Sequence, residues 1–174
     1  RLAESILETI IEVAPKIMKD PSDYDAAANF MWCCTMALNG LIQKGVACDW
    51  AIHMMGHELT AMYGIDHART LAIIAGSHYS YFLDQKLERL AQFGERVWKI
   101  SGKSQKETAE LAIQKMVEFF HSLGVDTKLS QYTENYDGTA EKIAETFKER
   151  GWVKMGEKQT VTPETVIDIV KASY

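Results

Sequence analysis

The sequence predicts an all-α fold, a helical bundle, and three observations carry this prediction. Apolar residues recur at helical spacing in one segment after another, and the first segment shows it at Leu2, Ile6, Ile10 and Val13. Alternation with a period of two, the pattern of half-buried strands, is nearly absent. At 174 residues the chain has the size of one domain with its own core. We therefore expect a single all-α domain over residues 1–174.

Proline, glycine and polar caps delimit the first four helices. Pro15 is expected to kink or divide the first helix, because proline lacks an amide hydrogen and clashes with the preceding turn. Ser22 or Asp23 can cap the second helix, and Gly45 can stop it. Gly64 ends the third helix. The predicted ranges are 2–19, 23–43, 50–63 and 67–82.

The second half of the chain carries clearer start signals. The stretch SQKE, which begins at Ser104, is a capping box, and Gly124 follows the end of that helix. Thr162 is a suitable N-cap with Pro163 at the first helical position. Residues 125–138 form the longest irregular stretch, which we interpret as a loop. The predicted ranges are 85–100, 105–122, 139–150 and 163–172.

Composition excludes two classes of partner. The formal net charge of −5 and a pI near 5.6 argue against a nucleic-acid surface, which needs clustered lysine and arginine. No apolar run approaches the roughly 18 to 20 residues that span a bilayer, and the N-terminus lacks the layout of a signal peptide. We expect a cytoplasmic protein that binds neither nucleic acid nor membrane.

Thiols and indoles in apolar helical patterns are assigned to the core. The three cysteines include the adjacent pair Cys33 and Cys34, and this odd count fits reduced, buried thiols better than disulfides or a CxxC metal site. Trp32 lies in the same pattern and is predicted to be core. Trp50 is also assigned to the core, with a position lining a cleft as the alternative. His78 is expected to be an ordinary, partly exposed histidine.

The stretch DWAIHMMGHELTAMYGIDHARTLA holds three of the five histidines, His53, His57 and His67. Residues four apart share a helix face, so Asp49, His53 and His57 stand at good chelate spacing. A continuous helix would place His53 and His67 about 21 Å apart. A reversal at Gly64 would nearly cancel that separation. Spacing leaves both arrangements open.

These histidines also allow two other interpretations, a zincin motif and a polar helix edge. The zincin motif HExxH fails, because Ala61 stands where the second histidine would be. A polar helix edge is the simplest alternative, with Asp66 as an N-cap and Asp49 as a partner of the helix dipole. Three histidines within fifteen residues favour a metal or catalytic site over that alternative.

The same residues resemble a known family. The stretch GHELTAMYGIDHARTLAI, preceded by DWAIHMM, resembles the signature of the iron-containing (group III) alcohol dehydrogenases, in particular the NADPH-dependent butanol dehydrogenase and aldehyde reductase branch. YDAAANFMWCCTMALNGLI, ERVWKI and FFHSLGV also match that branch. The resemblance implies an N-terminal Rossmann-like domain for the nicotinamide cofactor and a dehydroquinate synthase-like, helical C-terminal domain for one divalent ion. It places this chain in the C-terminal domain.

The resemblance also assigns roles. It implies that His53 and His67 are metal ligands, and that His57 faces the cleft near the nicotinamide as a catalytic residue without binding the ion. Fe²⁺ or Zn²⁺ is the implied metal, and a small alcohol or aldehyde is the implied substrate. A homodimer is compatible with the assignment. The family's other two ligands, on a DxxxH turn, are expected before Arg1.

The missing ligand pair limits what the chain can do by itself. The chain starts at Arg1, inside an apolar helical pattern and without Met, which suggests a fragment. It has no Gly-rich turn after a strand, so NADP(H) is expected to be bound mainly by the absent domain. The fragment alone is therefore expected to be inactive. The alternatives are a helical interaction module and a small metalloprotein that uses Asp49 together with the three histidines.

Overall fold

A computed structural model describes all residues from Arg1 to Tyr174, and its regular structure is helical. The α-helices are α1 Leu2–Lys19, α2 Tyr24–Leu38, α3 Ala51–Tyr63, α4 His67–Tyr81, α5 Leu83–Arg96, α6 Gln105–Ser122, α7 Thr139–Glu149 and α8 Pro163–Lys171. A short 3-10 turn covers Leu129–Gln131. The β-pairing consists of one isolated antiparallel bridge between Met155 and Val161. The predicted all-α class is confirmed.

Two predicted boundaries differ from the structure, and the first helix is not divided at Pro15. Helix α2 ends at Leu38 instead of residue 43, because Gly40 turns the chain at a φ of 86°. Helix α5 ends at Arg96, before Lys99, whose φ is 58°. Pro15 does not divide α1, since proline removes only one backbone hydrogen bond there.

The first of two compact units comprises residues 1–46 and 83–124. Within it α1 packs on α2, and α5 packs on α6. Ion pairs join α1 to α5 and the residues after it, with Arg96 Nη1 3.0 Å from Glu4 Oε1 and Lys99 paired with Glu8. The prediction of a single domain stays a prediction.

Gly94 allows the close packing of α5 on α6. A Cβ atom added there would lie 2.8 Å from the backbone oxygen of Thr108 and 2.9 Å from its Cγ2. Gly94→Ala is expected to lower the free energy of unfolding by about 1–3 kcal/mol, although alanine gains helix propensity. Urea denaturation measures this loss. Glu95→Ala, at an exposed neighbouring position, should change stability by less than about 0.5 kcal/mol; equal effects of both variants would contradict the packing argument.

The second unit comprises residues 47–82 and 125–174, and it holds the larger apolar core. In this unit α3 packs on α4, and α8 packs on both α4 and α7. Met55, Leu59 and Phe147 are completely buried in the core. At its edge the buried carboxylate of Glu58 pairs with Arg150, whose guanidinium also lies 4.9 Å from the ring of Trp152. These contacts fix α3, the helix that carries two of the clustered histidines.

Helix α2 departs most from the core assignment made from its sequence. Cys33 is buried as predicted, but Cys34 is exposed, and so is Cys48, which lies after the helix. The prediction of buried thiols is therefore wrong for these two cysteines. Trp32 is 65% exposed, so its assignment to the core is wrong. The reason is that α2 is apolar on more than one side, whereas α1 covers only part of it. None of the helices combines the length and apolar character needed to cross a bilayer.

Candidate metal centre

The turn after α3 brings the histidines together. Gly64 adopts φ 67° and ψ 15°, the left-handed conformation that glycine tolerates, and its amide donates to the carbonyl oxygen of Thr60. The chain reverses over residues 64–66, and α4 begins at His67. A continuous helix from His53 to His67 is thereby ruled out. The reversed arrangement, which spacing alone left open, is the one that the structure has.

Three imidazoles form a compact cluster. His53, His57 and His67 each offer a ring nitrogen, and these atoms all lie within 4.8 Å of one another. His53 Nδ1 is 3.1 Å from His67 Nε2. The rings of His57 and His67 stack, with centroids 4.0 Å apart and planes within 5° of parallel. The structure therefore brings together all the histidines that the sequence singled out, across two helices.

The ring orientations distinguish the pairs. Nitrogen lone pairs lie in the ring plane, so the parallel, stacked rings of His57 and His67 do not converge on one point between them. The ring centroids of His53 and His57 are 6.4 Å apart. His53 and His67 are inclined by 51°, and their 3.1 Å separation is close to the ~3.3 Å between ligands of a tetrahedral ion with bonds of about 2.0–2.1 Å. The donor set fits a divalent metal best through this pair.

Thr70 orients His67, and the sequence analysis missed it. Its side chain is completely buried, and its hydroxyl donates to the carbonyl oxygen of His67 at 2.8 Å. Oγ1 of Thr70 also lies 3.4 Å from His67 Nδ1 and can accept a hydrogen bond from the N–H at that position. That tautomer leaves the lone pair of Nε2 facing His53. The available signal was the spacing of three residues, which places Thr70 on the same face as His67.

Gly56 lets α3 approach α4 beside the cluster. It lies between His53 and His57 in the chain, and a Cβ atom there would be 3.0 Å from Thr70 Oγ1 and 3.2 Å from Leu71 Cδ2. Both distances are shorter than ordinary van der Waals contacts. Any larger side chain must therefore push against the helix that carries His67.

Asp49 lies outside the histidine cluster. Its Oδ1 accepts a hydrogen bond of 3.0 Å from the amide of Ala51, at the start of α3. Its Oδ2 is 3.6 Å from Nε2 of His78. His78 is completely buried, so its predicted partial exposure is wrong; it packs against the ring of Phe82. Chelation by Asp49 with His53, one option from spacing, has no support in this arrangement.

Trp50 borders the histidine cluster. The indole stands edge-on to the ring of His53, with centroids 5.1 Å apart, and it is 40% exposed. Its assignment to the core is therefore wrong, and the alternative, a position that lines a cleft, stays a prediction. The residue stays exposed because it caps α3 instead of lying within its packed face.

Burial lowers the pKa of two of the clustered imidazoles. For His53 the pKa falls below its ordinary value mainly through desolvation, and secondarily through the charge that His57 carries when protonated. For His67 the pKa falls for the same reasons, with a further contribution from His53. Metal binding requires neutral imidazoles, so both shifts favour the ligand form.

These shifts predict an acid-sensitive stability in the metal-free chain. Because the folded pKa values lie below the unfolded value of about 6.5, the unfolded chain binds more protons once the pH falls below that value. The free energy of unfolding should be highest above about pH 6.5 and decrease on acidification through the folded pKa values. Urea denaturation across this range measures it. A His53→Asn, His67→Asn double variant should lose much of the dependence, and greater stability in acid would contradict the prediction.

Known proteins resemble the chain along its whole length. Residues 1–174 match the profile of the Fe-containing alcohol dehydrogenase family, C-terminal. The chain is 45% identical over 175 residues to the NADPH-dependent aldehyde reductase YqhD of Escherichia coli strain K12, covering 100% of the chain and 44% of that protein. It is 35% identical to the NADH-dependent butanol dehydrogenase A of Clostridium acetobutylicum, covering 99% of the chain and 45% of that protein.

The solved structures agree with the sequence relatives. The substrate- and cofactor-free form of the E. coli aldehyde reductase YqhD superposes with a TM-score of 0.95 at 43% identity. The match covers 100% of this chain and 46% of that one. The chain thus spans less than half the length of the relatives it matches.

Proposed function

Because the chain belongs to the iron-containing alcohol dehydrogenase family as its C-terminal helical domain, we propose that the intact protein is an NAD(P)-dependent aldehyde reductase or alcohol dehydrogenase. Small aldehydes and alcohols are the proposed substrates, as the names of the relatives indicate for those proteins. The observation that carries the proposal is the pairing of His53 with His67 across the Gly64 turn. Two ring nitrogens 3.1 Å apart on neighbouring helices stand at the separation of two ligands of one tetrahedral ion.

His53 and His67 would hold a divalent ion, Fe²⁺ or Zn²⁺. When bound, such an ion supplies Lewis-acid polarisation of the substrate oxygen. Thr70 keeps the Nε2 lone pair of His67 available, and Gly56 sets the separation of the helices that carry the two ligands. The remaining ligands and most of the NADP(H) site are proposed to come from the part of the intact protein that the chain does not include.

His57 has a different proposed role. It is exposed, and it stacks on His67 without aiming its lone pairs at the same point. An exposed imidazole beside the ion site can hold or pass a proton to the oxygen that becomes the alcohol hydroxyl. We therefore assign His57 to proton handling and leave it out of the ligand set.

Aldehyde reduction by the intact protein tests the proposal. NADPH consumption with a short aliphatic aldehyde is followed at constant cofactor concentration, before and after chelation and dialysis. Activity that disappears on chelation and returns with Fe²⁺ or Zn²⁺ supports the proposed function. A fully metal-replete intact protein that consumes neither NADPH nor NADH with any short aldehyde would overturn it.

A further inference from the structure

His78 is a buried imidazole without a hydrogen-bond partner. Its side chain is completely buried, and neither Nδ1 nor Nε2 has a protein donor or acceptor within hydrogen-bond distance. Buried polar side chains are normally hydrogen-bonded, and an imidazole carries at least one N–H. Burying that N–H without an acceptor opposes folding. Such a residue needs an explanation other than packing.

The carboxylate of Asp49 is the charged group that faces this imidazole. Its Oδ2 lies 3.6 Å from His78 Nε2, and its side chain is only 18% exposed. The separation is too long for a direct hydrogen bond, so the attraction is between the carboxylate charge and the N–H of the ring. Gly156 covers the carboxylate, since a Cβ atom added there would lie 3.4 Å from Oδ2. Because this cover limits the access of solvent, the attraction is stronger than at an open surface.

The pair joins the start of α3 to the end of α4. Asp49 Oδ1 accepts a hydrogen bond of 3.0 Å from the amide of Ala51, the first residue of α3, and the helix dipole favours a negative charge there. His78 lies in the last turn of α4. His53 lies in the first turn of α3, and His67 is the first residue of α4. The pair therefore connects the turn that carries one proposed ligand to the helix that carries the other.

This contact restrains the orientation of α3 on α4. The close approach at Gly56, where a Cβ atom would lie 3.0 Å from Thr70 Oγ1, is a contact in the middle of α3. Such a contact lets the ends of a helix pivot, whereas a further contact at one end restrains the pivoting. The orientation of the first turn determines where His53 Nδ1 lies relative to His67 Nε2, 3.1 Å away.

We propose that Asp49 and His78 are positioning residues for the ion site, which hold the first turn of α3 so that His53 keeps its ligand geometry with His67. This rests on the proposed function, in which these two histidines bind the ion. Loss of a group that orients a ligand costs about 10–100-fold in metal affinity. We expect about tenfold for either positioning residue, the lower end of that range, because each acts through the backbone of α3.

His78→Leu separates positioning from packing. Leucine has a similar volume and no polar atom, so the unpaired N–H disappears and the free energy of unfolding should stay equal or rise. Urea denaturation of the intact protein measures this. The affinity of the same protein for Zn²⁺, measured by competition with a chromophoric chelator, should nevertheless fall by about tenfold. A residue with a purely structural role would not lose affinity while stability is kept.

Ile74→Val is the matched control for His78→Leu. Ile74 is completely buried and lies one turn earlier in α4. Its shortening should lower the free energy of unfolding, because it leaves a small cavity in the core. The affinity for Zn²⁺ should not change. A loss of affinity equal to that of His78→Leu would show that packing of α4 in general controls the ion site, and would overturn the proposal.

Asp49→Asn tests whether the two residues act together. Asparagine can still accept the hydrogen bond from the amide of Ala51, so the charge is lost and the cap is kept. Zn²⁺ affinity should fall by about tenfold, and the double variant with His78→Leu should lose no more than either single variant. Losses that multiply to about 100-fold would overturn the pairing. Unchanged affinity in either single variant would also overturn it.

Aldehyde reduction measured on the same samples separates the positioning role from the proposed function. An intact protein that binds Zn²⁺ with this dependence but reduces no aldehyde contradicts the function and supports the positioning role. An active enzyme whose Zn²⁺ affinity is the same in His78→Leu and Asp49→Asn supports the function and contradicts the positioning role. An intact protein that does not bind Zn²⁺ at all overturns both.

Discussion

Alanine at position 67 of the intact enzyme is expected to remove the bound ion and the activity together, and alanine at position 53 should do the same. Loss of a residue that only orients a ligand costs about 10–100-fold in metal affinity or activity, so loss of a ligand should cost at least about 100-fold. His53 Nδ1 and His67 Nε2 lie 3.1 Å apart, a separation that suits two ligands of one tetrahedral ion. Neither variant should unfold the chain, since both side chains are partly exposed.

His57→Ala is expected to behave differently. Its ring stacks parallel to that of His67 and lies outside the proposed ligand pair, so the ion should remain bound. Removing a proton-handling residue should lower kcat by about 100-fold or more. Part of that loss should return with imidazole added to the assay, because a diffusible base can replace the missing proton carrier.

Mass spectrometry of the purified variants measures metal content per protein. This measurement decides whether the ligands are His53 with His67 or His53 with His57. If His57→Ala loses the ion and His67→Ala keeps it, the ligands are the pair four residues apart in α3, and our assignment is wrong. His121→Ala is the matched control. That histidine is exposed on α6, in the other unit, and its replacement should change neither metal content nor activity.

The helices were predictable because their signals are local. The capping box at Ser104 forms as expected, with its hydroxyl accepting from the amide of Glu107 and the Glu107 carboxylate accepting in return. Thr162 caps α8 with Pro163 in the first turn. Such signals depend on a few neighbouring residues, so they need no knowledge of the tertiary structure. The early end of α2 escaped prediction, because Gly45 was a second acceptable stop beyond Gly40.

Burial was harder to predict than helix position. Trp32 and His78 were assigned opposite to their observed environments, since periodicity identifies an apolar face without identifying what covers it. Trp32 belongs to a face that the chain does not cover. His78 lies inside the core of the second unit, beside Phe82, although histidine is most often found at intermediate burial.

The site was predictable in part. The reversal at Gly64 was one of two arrangements compatible with the spacing, and the choice of His53 with His67 came from the family resemblance. Thr70 and Gly56 were not predicted, because their importance depends on how closely α3 approaches α4. That distance results from packing over the whole second unit, which a pattern along one segment does not contain.

The close approach at Gly56 predicts the second large effect, a loss of activity in Gly56→Val without the loss of any functional side chain. Already the Cβ atom would lie 3.0 Å from Thr70 Oγ1, and the two methyl groups of valine extend further toward α4. Overpacking of this kind costs about 1–3 kcal/mol of stability. Relief requires α4 to move, and Thr70 and His67 would move with it.

A small displacement of His67 should have a disproportionate effect on catalysis. Misplacement of a functional group by about 1 Å can reduce the rate by about 100-fold, so kcat/KM should fall by that order even when the protein remains folded. Gly56→Ala should give a smaller loss in the same direction, because its single methyl group needs only a slight adjustment of Thr70. Both activity and metal content should be measured under conditions where far-ultraviolet circular dichroism shows full helicity.

Ala61→Val is the matched control for Gly56→Val. It places the same side chain on the exposed side of α3, where only helix propensity opposes it, at a cost of about 0.5 kcal/mol. Its activity and metal content should equal those of the unmodified enzyme. If Gly56→Val also kept full activity and a full complement of metal, the separation of α3 and α4 would not control the His53 to His67 distance. The ion site would then have to tolerate a displacement of α4, in conflict with the pairing geometry proposed for it.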